Sequence, residues 1–163
     1  MIHETIESAA SKSVLFIGET ITDVYHFGKA IGMPRKAPII AMRYSRTEAF
    51  QGGVIAAARH AESFCKAVHI ASSRRITKER YIEESHNRKL FEVYAAEEVL
   101  AQPVLAALSE YDAVVVTDYG HGMLDNALIE QLCAESRFLA VNVLTNASNK
   151  AVNATILRTN ERN

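Results

Sequence analysis

Cysteine is scarce in this chain: Cys65 and Cys133 are the only two among 163 residues. Two thiols make no disulfide framework, and a reduced, cytoplasmic setting is the expectation. An excess of charge is missing too. Eighteen Lys and Arg face nineteen Asp and Glu, for a net charge of −1, so bulk electrostatics supply no grip on nucleic acid. Apolar runs such as Ala113–Val116 fall far short of the ~20 residues of a membrane span. Met1–Ser13 holds Glu4 and Glu7 and no apolar stretch, unlike a signal peptide. Neither G-x-x-x-x-G-K nor G-x-G-x-x-G occurs, which excludes the common glycine-rich nucleotide loops. His3, His26, His60, His69, His86 and His121 show no H-x-x-x-H or H-E-x-x-H spacing, so no metal site is expected.

What is present suits one ordinary domain: 48% of the residues are hydrophobic, and a chain of this length buries roughly two-thirds of its unfolded surface. Ser13–Gly18, Asp112–Thr117 and Phe138–Val143 are short, continuous, β-branched runs that predict buried strands, with Lys66–Ala71 a weaker fourth. Helices are expected at alanine-rich Gly53–Phe64, at Pro103–Ser109 and at Asn126–Glu135, where Asp125 precedes the first turn as an N-cap. Alternating strands and helices imply an α/β domain with a mainly parallel sheet. Two segments break the pattern. Val24–Phe50, with Pro34, Pro38 and the extended run Ile39–Tyr44, and Thr77–Tyr94, around the turn-like Ser85-His86-Asn87, read as antiparallel strand pairs in a second, small sheet.

Candidate chemistry gathers at strand ends, where open α/β sheets place ligands. Asp23 follows the first strand in Gly18-Glu19-Thr20-Ile21-Thr22-Asp23; it can accept hydrogen bonds from vicinal hydroxyls, or serve as a turn residue or cap. Gly52 and Gly53 open a helix, either to admit a ligand to the backbone or to make a tight turn. Thr117-Asp118-Tyr119-Gly120-His121-Gly122 runs from a strand into an acid and a glycine-flanked histidine. Asp118 and Asp23 can thus face one pocket, for a polyol or a shared metal, with His121 at the sheet edge. Ser72-Ser73-Arg74-Arg75 reads as a polar loop, and Lys78 and Arg80 after it suit either a phosphate or a solvated strand face.

In this order the motifs resemble the amino-terminal half of the ribokinase-like (PfkB) carbohydrate kinases, and within them the heptose-phosphate kinase branch. The resemblance spans about Val14–Arg158. It implies an incomplete ribokinase-like parallel sheet flanked by helices, with segments 24–50 and 77–94 forming a β-sheet lid over the sugar. It assigns Asp23 to the sugar hydroxyls, Gly52 and Gly53 to the substrate side, Lys78 and Arg80 to the basic lid strand, and Asp118 and His121 to the end of a central strand. A sugar or sugar phosphate is the implied ligand, and the lid implies a homodimer.

The departures are equally informative. Ala56 replaces the family's asparagine after the glycine pair, and His121 replaces the lysine of Asp-Tyr-x-Lys-Gly, turning a fixed charge into a titratable one. A strand–helix–strand stretch of the family is missing between Ala71 and Thr77. None of the seven glycines begins the catalytic Gly-Ala-Gly-Asp turn, which in the family supplies the base and the anion hole. The expectation is one truncated domain over residues 1–163, with no catalytic residue and no metal site of its own. ATP and Mg²⁺ would enter only with a partner chain that completes a split kinase; a non-catalytic dimerisation or regulatory module is the other alternative.

Overall fold

The computed structural model describes residues 7–100, 105 and 107–143. Strands β1 (Ser13–Gly18), β4 (Ala67–Ala71), β7 (Ala113–Asp118) and β8 (Leu139–Val143) form a four-stranded sheet in the order β4-β1-β7-β8. All three pairings in it are parallel. The expected mixed α/β architecture, a mainly parallel sheet flanked by helices, is therefore what the chain adopts.

The period-two alternation of β1 explains why that strand reads as continuously apolar. Leu15 and Ile17 join Val114, Val116, Leu108, Met123, Ile129 and Leu132 on one face of the sheet. Val14 and Phe16 pack on the opposite face against Val54, Ala58 and Ala61 of helix α1 (Val54–Glu62). A strand buried on both faces has no position for a polar residue. Helix α2 (Asn126–Glu135) covers the first face, and the Asp125 side chain accepts the Leu128 N–H at 2.8 Å as its N-cap. The helix expected at Pro103–Ser109 lies largely outside the described residues, which show a 3-10 turn at Leu108–Glu110.

The second sheet has the order β3-β2-β5-β6, built from β2 (Thr20–Gly32), β3 (Ala41–Gly53), β5 (Arg74–Glu83) and β6 (Arg88–Val99). It contains the two expected antiparallel pairs, joined by a parallel pairing of β2 with β5. Its strands run further towards the main sheet than hydropathy suggests. Register continues to Thr20↔Gly53 and to Arg74↔Val99, so three local readings change. The segment after Gly18 is a strand rather than a turn, because Glu19 alone separates β1 from β2. Gly52 and Gly53 close β3 instead of opening the helix, which begins at Val54. Arg74 and Arg75 begin β5 instead of lying in a loop, and only Ser72 and Ser73 separate it from β4.

Candidate functional site

The carboxyl ends of β1 and β7 lie side by side, with Gly18 paired to Thr117. From this edge β2 departs into the second sheet, and the loop Tyr119–Gly122 leaves β7. Every residue singled out from the sequence lies at this junction or on the adjoining sheet face.

Asp23, Tyr25, Lys78 and Arg80 share one face, since Asp23 pairs with Lys78 and Tyr25 with Arg80 in register. The Arg80 guanidinium donates Nη1 to Asp23 Oδ1 and Nε to Glu92 Oε2, the latter at 2.7 Å. It also stands 5.3 Å from the Tyr25 ring centroid. Arg80 is thus held between two carboxylates, with about one-fifth of its side chain exposed. The second oxygen of Asp23 looks at Gly52: a Cβ built there would stand 2.8 Å from Oδ2. Glycine at position 52 keeps that oxygen uncovered by a side chain.

Lys78 behaves differently. Its Nζ lies 5.0 Å over the Tyr94 ring, and among the described residues no carboxylate comes within ion-pair distance of it. The Tyr94 ring in turn stands 5.9 Å from that of His121. The His121 Nε2 is buried and has no hydrogen-bond partner among the described residues. Burial, and then the positive charge of Lys78, hold the His121 imidazole below its ordinary pKa, with Glu97 and Asp118 pulling the other way. Lys78 therefore links the two halves of the site, in register with Asp23 on β2 and facing His121 beyond Tyr94.

Asp118 is buried at the end of β7, and its Oδ1 accepts the Gly120 N–H at 3.0 Å. Gly53 sits where β3 meets α1, with φ 61° and ψ −140°, a conformation open essentially to glycine alone. The helix N–H beside it, from Val54, is already bonded to the Glu19 carbonyl at 2.9 Å.

Sequence reasoning missed Glu19, Tyr25, Glu92 and Tyr94. Glu19 is fully buried, and its carboxylate accepts the N–H groups of Tyr119 and His121 at 2.9 and 3.1 Å. An acid directly after an apolar strand was the available signal; its partners lie 100 residues away in the chain. Among the described residues no group of three His, Cys, Asp or Glu side chains has the geometry of a metal site. Cys65 and Cys133 are unpaired and half-buried, and burial raises both thiols above their ordinary pKa, away from nucleophilic thiolate chemistry. No described helix is long and apolar enough to cross a membrane.

No protein-family model matches the chain, and no curated protein sequence matches it. Solved structures do. Phosphofructokinase-2 from Escherichia coli in complex with fructose-6-phosphate aligns with a TM-score of 0.52 at 12% identity, over 89% of this chain and 58% of that one. A carbohydrate kinase from Agrobacterium tumefaciens gives 0.51 at 15% identity, over 88% and 57%. Ribokinase from Thermotoga maritima gives 0.51 at 9% identity, over 91% and 57%. The chain therefore spans somewhat more than half the length of these kinases, and what it shares with them is the ribokinase-like carbohydrate-kinase fold.

Proposed function

We propose that the chain is the sugar-side half and lid of a PfkB-type carbohydrate kinase, and that it binds a sugar or sugar phosphate between the second sheet and the carboxyl edge of the main one. One observation carries this reading most directly: Asp23 Oδ2 faces the bare backbone of Gly52 on the sheet face that Lys78 shares. A carboxylate beside an open backbone suits a pair of vicinal hydroxyls, and a lysine next along the face, without a carboxylate partner among the described residues, suits an anionic substituent. Arg80 orients Asp23, Asp118 and His121 close the far side, and Gly53 sets the chain direction at the near side. The heptose-phosphate kinase branch is the favoured affinity, on the Lys78–Arg80 pair of the lid strand.

Phosphoryl transfer by this chain alone is not part of the proposal. It needs a base and an anion hole, and no glycine here opens a Gly-Ala-Gly-Asp turn. ATP and Mg²⁺ belong to the reading only with a complementary chain. The two unpaired cysteines favour a cytoplasmic setting. A thermal-shift panel of hexoses, heptoses and their phosphates tests the binding claim, with a coupled kinase assay on the same samples. A raised melting temperature with at least one sugar and no turnover is expected; no shift with any of them contradicts the reading.

The outer face of the lid favours assembly with a second copy. There His26, Tyr81 and Phe91 stack with centroids 4.6 and 4.5 Å apart. Phe91 is 53% exposed, and beside it Pro38, Ile39, Ile40, Met42 and Leu90 line an apolar hollow of about 620 Å³. An exposed apolar face on a β-sheet is a candidate interface. Phe91→Asp is expected to convert a dimer to a monomer in light scattering; a mass unchanged by the substitution counts against the lid contact.

A further inference from the structure

Glu19 is the one residue between β1 and β2, and none of its surface reaches solvent. A buried carboxylate is costly unless its oxygens are hydrogen-bonded. Here Oε2 accepts the Tyr119 N–H at 2.9 Å and Oε1 accepts the His121 N–H at 3.1 Å. The backbone carbonyl of the same residue accepts the Val54 N–H at 2.9 Å. A single residue thus touches the root of the lid, the first turn of α1 and the loop after β7. Asp23 lies on the first of these, the glycine pair ends the strand that runs directly into the second, and the third carries His121 just after Asp118 at the end of β7.

We propose that Glu19 is the positioning residue of this pocket: its ionised carboxylate clamps the Tyr119–Gly122 loop and so sets where His121 stands beside Asp118, opposite Asp23 and Lys78. The proposal rests on the sugar-pocket reading of that junction. Asp118 grips the same loop from its base, through the Gly120 N–H at 3.0 Å. Two neighbouring carboxyl groups therefore share the work of ordering a loop that has no regular structure of its own.

A clamp made of two N–H donors on one carboxylate has a built-in sensitivity. Protonation leaves an O–H directed into donors, so at least one of the two bonds is lost. Burial and then the nearby Asp118 push the Glu19 carboxyl above its ordinary range, against the pull of the Tyr119 and His121 N–H groups. The loop side also feels Lys78 and Arg74 from β5 and Glu97 from β6, through His121. As pH falls, Glu19 takes up its proton earlier than an ordinary glutamate would, and the loop is released.

The test uses the full chain, isotopically labelled. Backbone amides of Tyr119 and His121 are followed by NMR from pH 7 to pH 4, together with their hydrogen exchange. Both amides are expected to titrate with one shared midpoint above the ordinary 4.5 of glutamate. In Glu19→Gln that titration disappears, and the two amides exchange about ten-fold faster at pH 7, while those of Phe16 and Val115 keep their protection. Affinity for the sugar is expected to fall about five-fold in the same variant, because a displaced loop misplaces His121 beside Asp118. Independent midpoints in the wild-type chain overturn the clamp even if the variant does not fold. Unchanged exchange in a folded Glu19→Gln overturns it as well. A released loop with undiminished sugar affinity overturns the positioning role. Should the wild-type chain bind no sugar, the pocket reading fails, while the amide titration still decides whether Glu19 holds the loop.

Discussion

Gly53 and Gly32 both have positive φ, at 61° and 114°, but their surroundings differ sharply. A Cβ on Gly53 would stand 2.2 Å from the Glu19 carbonyl oxygen, whereas one on Gly32 would meet nothing within 4 Å. Backbone strain alone costs a non-glycine residue about 1–3 kcal/mol, and at position 53 a clash with rigid backbone is added. Gly53→Ala is therefore expected to destabilise the chain by about 3 kcal/mol or more in urea unfolding, and Gly32→Ala by about 1 kcal/mol; equal losses contradict this account of the junction. At this scale sequence reading succeeds where the signal is local. Asp125 was legible as a cap because the group it bonds lies three residues away. Glu19 and the Asp23–Arg80 pair were not, since their partners lie 100 and 57 residues away. The chemical nature of Asp23 was plain in the sequence; that one of its oxygens is held by Arg80 required the fold.

Elements repeat this division. β1, β7 and α2 could be placed from composition because each is buried against neighbours of its own kind and its pattern contains nothing else. The second sheet was visible as two strand pairs in one small sheet, but the parallel join between them was not, because the β2–β5 pairing is made by backbone groups that carry no sequence signature. The same ignorance hid the extension of β3 through Gly52 and Gly53: glycine disfavours strands locally, and only pairing with Thr20 and Ile21 keeps both in the ladder. The turn joining β5 to β6 supplies its own pH dependence. Glu83 accepts both the backbone N–H and the Nδ1 of His86 at 3.0 Å, which holds its carboxyl at about 2, below the ordinary 4.5. A depressed carboxylate stabilises the folded state above its unfolded pKa, and that contribution is lost as pH falls through the folded one. Protection of the His86 amide relative to its intrinsic exchange is thus expected to fall between about pH 4.5 and 2 in the wild-type chain, and to be pH-insensitive there in Glu83→Gln. Identical profiles contradict the assignment.

For the molecule as a whole, the two sheets meet through very short junctions: Glu19 between β1 and β2, none between β3 and α1, and Ser72-Ser73 between β4 and β5. Ser73 is buried, its carbonyl accepts the Leu100 N–H at 2.8 Å, and the Thr20 hydroxyl donates to the Arg74 carbonyl at 3.1 Å. The second sheet is therefore tied to the parallel one at the edge that carries the candidate site residues, by these short junctions and by the bonds of Glu19 to the Tyr119 and His121 N–H groups. Fold class was legible because it follows from the alternation of buried strands and helices; the candidate site was legible only as a set of residues, since its geometry depends on how the two sheets join. The function proposed for this junction depends on its holding a sugar through Asp23. Isothermal titration of the sugar phosphate that most raises the melting temperature, against the wild-type chain and against Asp23→Ala, tests it most directly. Saturable binding by the wild type and a loss of affinity of about 100-fold or more in the variant is the predicted result, as for a partly buried charge-assisted hydrogen-bond acceptor. Equal affinity in the two proteins would contradict it.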